Sequence, residues 1–339
     1  MKPGNMQEQK IMDRYAKFST PAVETLSPAN ARNLPTLKNA VEVMALEQPA
    51  KAAPEPALRI SHILIPGPAG DILARVYTPE GTSPLPVLVY FHGGGWVIAN
   101  LDVYEPSCRA LANAAGCIIV SVAYRQAPEN KFPAAVDDAF AALQWVMKNT
   151  AKLGGDPKRV AVGGESAGGN RAAVTCLMAR ETGRQMPVAQ LLVYPITNYA
   201  FDTPSYKEHA DAKPLNAAMM RWFFKHYLRS EADGADPHVS PLRASDLSGL
   251  PTATIITAEI DPLCSEGEAY AKRLADAGVR VNTKRYEGVT HEFFGLAGVV
   301  DEAKEAVAYA ARGLMGQTGS PKPGAADMSR EPVGHRVAG

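Results

Sequence analysis

A chain of 339 residues with 46% hydrophobic content can bury a large core, and Lys+Arg and Asp+Glu both number 35, for a formal net charge of zero. That balance offers no electrostatic case for nucleic acid or an anionic membrane, and no run approaches the ~20 apolar residues of a spanning helix. Residues 1–20 lack the continuous apolar stretch of a signal peptide, so the expected location is cytoplasmic.

In chain order, residues 7–18 and 35–47 have helical apolar spacing and are bridged through Ser27-Pro28-Ala29-Asn30. Residues 51–56 form a linker, and strands are predicted at 58–65 and 71–78. A third apolar run, 86–91, leads straight into His92-Gly93-Gly94-Gly95-Trp96. Successive glycines let bare backbone approach a substrate, with N–H groups free to face an oxygen that turns negative during acyl transfer. The alternative is a flexible glycine turn, but His-Gly-Gly-Gly is itself an oxyanion motif. A strand at 117–122 and a long helix at 133–152 follow.

Residues 159–163 predict a strand, and Gly164-Glu165-Ser166-Ala167-Gly168 then opens a helix of small residues. A serine on so sharp a strand-to-helix turn stands clear of the sheet, and the flanking glycines remove side chains that would clash there. Such a nucleophile elbow requires an acid and then a histidine downstream. After a strand at 187–194, the aromatic-rich segment 197–238 interrupts the alternation of strand and helix. The strand 252–258 leads into Glu259-Ile260-Asp261-Pro262-Leu263 ahead of a helix at 265–276. Asp261 sits where a loop acid belongs, with Glu259 a close competitor; either could instead cap a helix or carry a solvated loop charge.

Of seven histidines, His209, His226, His238, His291 and His335 follow Ser166. His335 lies in a Gly/Pro/Ser-rich tail, and His226 falls on a predicted helix, 219–228, with an aromatic face suited to packing. His291 follows a strand at 281–286 and a loop at 287–290, beyond the carboxyl end of a strand, where open α/β sheets place their sites. The alternation through Asp261 and His291 predicts an α/β fold, its mostly parallel sheet covered by helices on both faces. The scattered Cys108, Cys117, Cys176 and Cys264 read as reduced residues in or near the core, and Glu208-His209-Ala210-Asp211 as a polar loop rather than a metal site. No cofactor or metal is expected. Residues 316–339 lack an apolar period and read as a disordered tail.

Taken together, His92-Gly93-Gly94-Gly95-Trp96, Tyr124-Arg125-Gln126-Ala127-Pro128-Glu129 with Phe132-Pro133-Ala134-Ala135, Gly164-Glu165-Ser166-Ala167-Gly168-Gly169-Asn170, Asp261-Pro262-Leu263 and His291-Glu292-Phe293 resemble the hormone-sensitive-lipase-like esterases, also called bacterial family IV. The match runs in order from about residue 58 to 315. It implies an α/β-hydrolase fold: a catalytic domain at 51–316, a helical cap from residues 1–50 and an insertion at about 197–238, and a tail at 317–339. It further implies a triad of Ser166, Asp261 and His291, and an oxyanion hole of Gly93, Gly94 and Ala167 with Gly95 also a candidate. Trp96 and the cap aromatics, Trp222 and Phe223 among them, would shape the pocket. The implied activity is a serine carboxylesterase acting on small short- to medium-chain acyl esters, and members of the family are often dimers. The same triad would serve an amidase, a formamidase or a lipase, and a receptor that has lost its triad uses the same scaffold. Two positions depart from the family pattern: Glu165, where Asp or Thr is usual, and Gln126, where Leu is usual.

Overall fold

The computed structural model describes residues 4–47 and 58–318. The expected linker at 51–56 and all but the first residues of the expected tail lie outside the described residues. The N-terminal segment contributes α1 (Met6–Ala16), α2 (Pro28–Ala31) and α3 (Leu37–Glu47). There follow β1 (Leu58–Gly67), β2 (Gly70–Pro79), β3 (Leu85–Phe91), α4 (Glu105–Ala115), β4 (Ile118–Val122), α5 (Ala134–Asn149), β5 (Gly155–Glu165) and α6 (Ala167–Glu181). The chain continues through β6 (Ala189–Val193), α7 (Pro204–Glu208), α8 (Ala217–Tyr227), β7 (Thr252–Ile260), α9 (Cys264–Asp276), β8 (Val281–Thr290) and α10 (Asp301–Thr318).

The eight strands form one sheet in the order β1-β2-β4-β3-β5-β6-β7-β8. β1 pairs with β2, and β2 with β4, in antiparallel fashion; every other pairing is parallel. This is the mostly parallel sheet the alternation predicted. Side chains of a strand point alternately to its two faces, and β3 divides accordingly. Val87, Val89 and Phe91 join the core beneath α5, α6, α8 and α9, whereas Leu88 and Tyr90 join the core beneath α1, α3, α4 and α10.

The register aligns the carboxyl ends of the strands. Phe91 lies opposite Gly164, Glu165 opposite Val193, and Ile260 opposite Thr290. The next residues along the chain, His92, Ser166, Tyr194, Asp261 and His291, therefore leave the sheet along one edge. Parallel strands bring these distant residues together without any local sequence signal.

Several boundaries differ from expectation. β8 continues through 287–290, expected as loop, because a register shift after Ala258 lets Thr290 pair with Ile260. The long helix stops at Asn149 and tightens into a 3₁₀ turn, Thr150–Leu153, closed by Gly154 in the left-handed conformation. α4 was not anticipated, although Cys108, Leu111, Ala112 and Ala115 form a buried stripe at helical spacing and Gly116, a left-handed C-cap with φ 55°, marks its end. At the far end α10 runs to Thr318, slightly into the expected tail. All four cysteines are buried and free of disulfides.

Candidate active site

Ser166 stands at φ 56°, ψ −117°, between the end of β5 and the start of α6. A non-glycine residue pays in backbone strain to adopt such angles, and surrounding packing has to enforce them. The packing is tight: a Cβ added at Gly168 would fall 1.9 Å from the carbonyl oxygen of Phe91, and one at Gly164 would fall 2.3 Å from the same oxygen. Only glycine at both ends lets the elbow close on β3.

The structure brings Ser166, His291 and Asp261 into one hydrogen-bonded line. Ser166 Oγ lies 3.0 Å from His291 Nε2, and His291 Nδ1 lies 2.7 Å from Asp261 Oδ2. The other Asp261 oxygen accepts from the Leu263 N–H at 2.9 Å. Of the two acids left open by the sequence, Glu259 instead accepts from the Gly288 N–H at 2.6 Å. His226 packs edge-on against Trp222, His238 bonds Glu181, and His209 ends α7; His335 lies outside the described residues.

The glycine loop leaves β3 beside the elbow, where a Cβ added at Gly93 would fall 3.1 Å from the Glu165 carbonyl oxygen. Gly94 and Gly95 have φ values of 93° and 58°, and the Gly94 carbonyl accepts from the N–H groups of Val97 and Ile98. Among the described residues no acceptor is found for the N–H groups of Gly93, Gly94, Gly95 or Ala167. They remain donors without an internal use. Tyr124 supports the loop from behind, with its hydroxyl donating to the His92 carbonyl at 2.8 Å and its ring stacked on His92 at 4.5 Å. Burial holds His92 down at about 4, neutral at ordinary pH, and its Nδ1–H donates to the Gly93 carbonyl. Gln126, one of the two departures, donates its amide to the carbonyls of Ile98 and Ala99, bonds a leucine could not make.

Glu165, the other departure, is 1% exposed and accepts hydrogen bonds from the hydroxyls of Tyr90 and Tyr194. Burial raises its pKa, those hydrogen bonds oppose the rise, and the nearby Glu292 adds to it. Tyr194 in turn packs against the His291 ring at 4.4 Å between centroids. For His291 itself burial lowers the pKa, but the charge and hydrogen bond of Asp261 outweigh it, and the net shift is upward. Tyr124, Tyr194, Gln126 and Glu292 are residues around the site to which sequence reasoning gave no role. Tyr124, Gln126 and Glu292 lie within the motifs that carry the resemblance, whereas Tyr194 carried no signal beyond ending a predicted strand.

Of the residues expected to shape a pocket, Phe223 lies nearest the loop: a Cβ at Gly95 would fall 2.2 Å from its ring. Trp222 donates its indole N–H to the Leu26 carbonyl at 3.2 Å, joining α8 to the N-terminal segment. Trp96 is fully buried and packs inward, stacked on Tyr227 at 4.2 Å. Two cavities are bounded by the N-terminal segment. One of about 190 Å³ is bounded by Leu37 and Val41 of α3 and reaches Tyr104, Ser107, Glu165 and Glu292. The other, about 410 Å³, lies between α1, residues 19–24 and the stretch containing Pro214 and Met219.

A family model described as the alpha/beta hydrolase fold matches residues 88–295, which spans the glycine loop, the elbow and His291. The chain belongs to the α/β-hydrolases, in their hormone-sensitive-lipase-like esterase branch. It is 46% identical to the carboxylesterase NlhH of Mycobacterium tuberculosis over 70% of this chain and 75% of that protein. It is 43% identical to the carboxylic ester hydrolase LipN of the same organism, over 73% of this chain and 67% of that protein. Among solved structures, the hyperthermophilic esterase of Pyrobaculum calidifontis superposes with a TM-score of 0.83 at 40% identity, covering 93% of this chain and 99% of that one. Among the described residues of this hydrolase, no helix is long and apolar enough to cross a membrane.

Proposed function

We propose that this hydrolase cleaves short- to medium-chain carboxylic esters through an acyl-enzyme on Ser166. The observation that carries the reading is the continuous line Ser166 Oγ, His291 Nε2, His291 Nδ1, Asp261 Oδ2, at 3.0 and 2.7 Å, beside backbone donors with no internal acceptor. Its relatives' names, carboxylesterase and carboxylic ester hydrolase, support the same chemistry.

His291 Nε2 takes the Ser166 hydroxyl proton as Oγ attacks the ester carbonyl carbon. The carbonyl oxygen gains the negative charge and is stabilised by N–H groups of Gly93, Gly94 and Ala167, which have no hydrogen bond to give up among the described residues. His291 then returns its proton to the departing alkoxide, leaving an acyl-enzyme. Water, deprotonated by the same imidazole, repeats the sequence and frees the acid. Asp261 holds His291 in the tautomer with its proton on Nδ1 and stabilises the imidazolium that forms in each half.

Ser166→Ala should remove turnover of p-nitrophenyl butyrate, with a loss in kcat on the order of 10⁴. Wild-type rates in that variant would sink the assignment. Stoichiometric labelling of Ser166 by an organophosphate is the companion test, and matched ester and amide substrates separate esterase from amidase.

A further inference from the structure

β8 is an edge strand of the sheet, so the backbone groups on its outer side have no strand to pair with. An unpaired N–H that is also buried is costly, and something has to accept from it. At the end of β8 that acceptor comes from the other end of the chain. Glu8, in the first turn of α1 and fully buried, accepts from the Thr290 N–H at 3.1 Å and from the Thr290 hydroxyl at 2.5 Å. Two residues earlier on the same edge, the Gly288 carbonyl accepts from the Asn5 N–H at 3.0 Å. The start of α1 thus docks along β8 as a partial substitute for the missing strand.

The place it docks is decisive. Thr290 pairs across the sheet with Ile260, and the residues that follow the two are His291 and Asp261. Whatever fixes Thr290 fixes the position from which the imidazole leaves the sheet. Thr290 has no other described support on its outer side, and its hydroxyl also reaches the His291 carbonyl at 3.3 Å.

We infer that Glu8 is a positioning residue for His291, holding the catalytic imidazole in line with Ser166 and Asp261 from the N-terminal helix. This rests on the triad proposed above. Other charged groups surround the contact. Burial raises Glu8 to about 7, its hydrogen bonds to Thr290 oppose that, and Glu302 of α10 adds to it. Glu259 of β7 holds the Gly288 N–H, and Asn5 bonds Glu302.

The test compares Glu8→Ala, Glu8→Gln and Gln7→Ala in the full-length protein. Gln7 ties the same helix to Asp301 but does not touch Thr290, so Gln7→Ala loosens docking alone. Small misplacements of a catalytic group cost rate steeply, so Glu8→Ala should lower kcat by about tenfold while KM changes less than about twofold. The pH at which kcat rises should move downward in Glu8→Ala, because a looser imidazole loses part of the support that Asp261 gives its charged form. Glu8→Gln, which keeps an acceptor oxygen, should recover most of both effects; Gln7→Ala should move neither. The low-field proton NMR resonance of His291 Nδ1–H gives a readout independent of turnover, and should shift or broaden only in Glu8→Ala. Unchanged kcat, pH dependence and resonance in Glu8→Ala would overturn the inference, as would an equal loss in Gln7→Ala. Absence of ester turnover in the wild type would instead count against the esterase reading, with the resonance still able to decide the role of Glu8.

Discussion

At the residue scale, the mechanism proposed for Ser166 turns on the protonation of His291. Burial disfavours the imidazolium, yet Asp261 wins, so the base is more easily protonated than a free imidazole. Because only neutral His291 can accept the Ser166 proton, kcat should rise with pH through an inflection above the ordinary imidazole range. Asp261→Asn removes the favourable charge and leaves the burial, so its residual activity should titrate at lower pH and its kcat should fall by about 10⁴. A pH–rate profile for both proteins checks this; an inflection that stays in place would mean Asp261 does not act on the histidine. The triad types and their order were legible in the chain, since an elbow serine demands a later acid and a later histidine. The choice of Asp261 over Glu259 rested on the family resemblance and not on spacing, because both leave the same strand within a few residues. It is decided by which carboxylate points at the imidazole and which is occupied by the Gly288 N–H.

At the element scale, the segment expected as a cap insertion begins where β6 ends, and its first residues are held by α9. Glu266, fully buried, accepts the N–H groups of Thr197 and Asn198, and its carbonyl accepts the Thr197 hydroxyl. Burial raises its carboxyl to about 8 despite those bonds. A carboxyl raised on folding favours the protonated native state, so its contribution is full below the unfolded value near 4.5 and is lost as pH rises to about 8. Glu266→Gln keeps an acceptor for Thr197 and Asn198 but cannot ionise. Melting temperatures of the two proteins should therefore diverge across that window, with the wild type losing ground as pH rises; parallel curves would refute the assignment. Helices and strands with strong periodicity were readable from local sequence. The extra length of β8 was not, because it resumes pairing with β7 only after a bulge in β8 itself, where Tyr286 to Thr290 runs against Ala258 to Ile260 and Gly288 takes a φ of 72°.

On the scale of the whole molecule, the N-terminal segment is tied into the hydrolase at separated points. Arg32 donates to the carbonyls of Val97 and Ala127 and pairs with Glu129, while Trp222 reaches Leu26 and Glu8 reaches Thr290. The 410 Å³ cavity lies at this seam, with Met219 on its wall. If acyl chains lie there, each buried methylene contributes about 0.8 kcal/mol, and filling the space with Met219→Trp should cut kcat/KM for octanoate relative to acetate by about tenfold or more. A chain-length series on p-nitrophenyl esters decides it, and an unchanged ratio places the acyl group elsewhere.

The sequence alone determined the class of chemistry and the scaffold. A glycine loop after one strand, a serine elbow after another and a histidine beyond a third are each local, because each depends on what its own backbone can adopt. Only the tertiary structure decided what Glu165, Gln126 and Glu8 do. Their partners, Tyr194, the Ile98 and Ala99 carbonyls, and Thr290, are far away in the chain or set by a turn of the loop, and burial gives those contacts their force. A carboxylate has no assigned role in a sequence until folding removes water from around it and leaves it one set of donors.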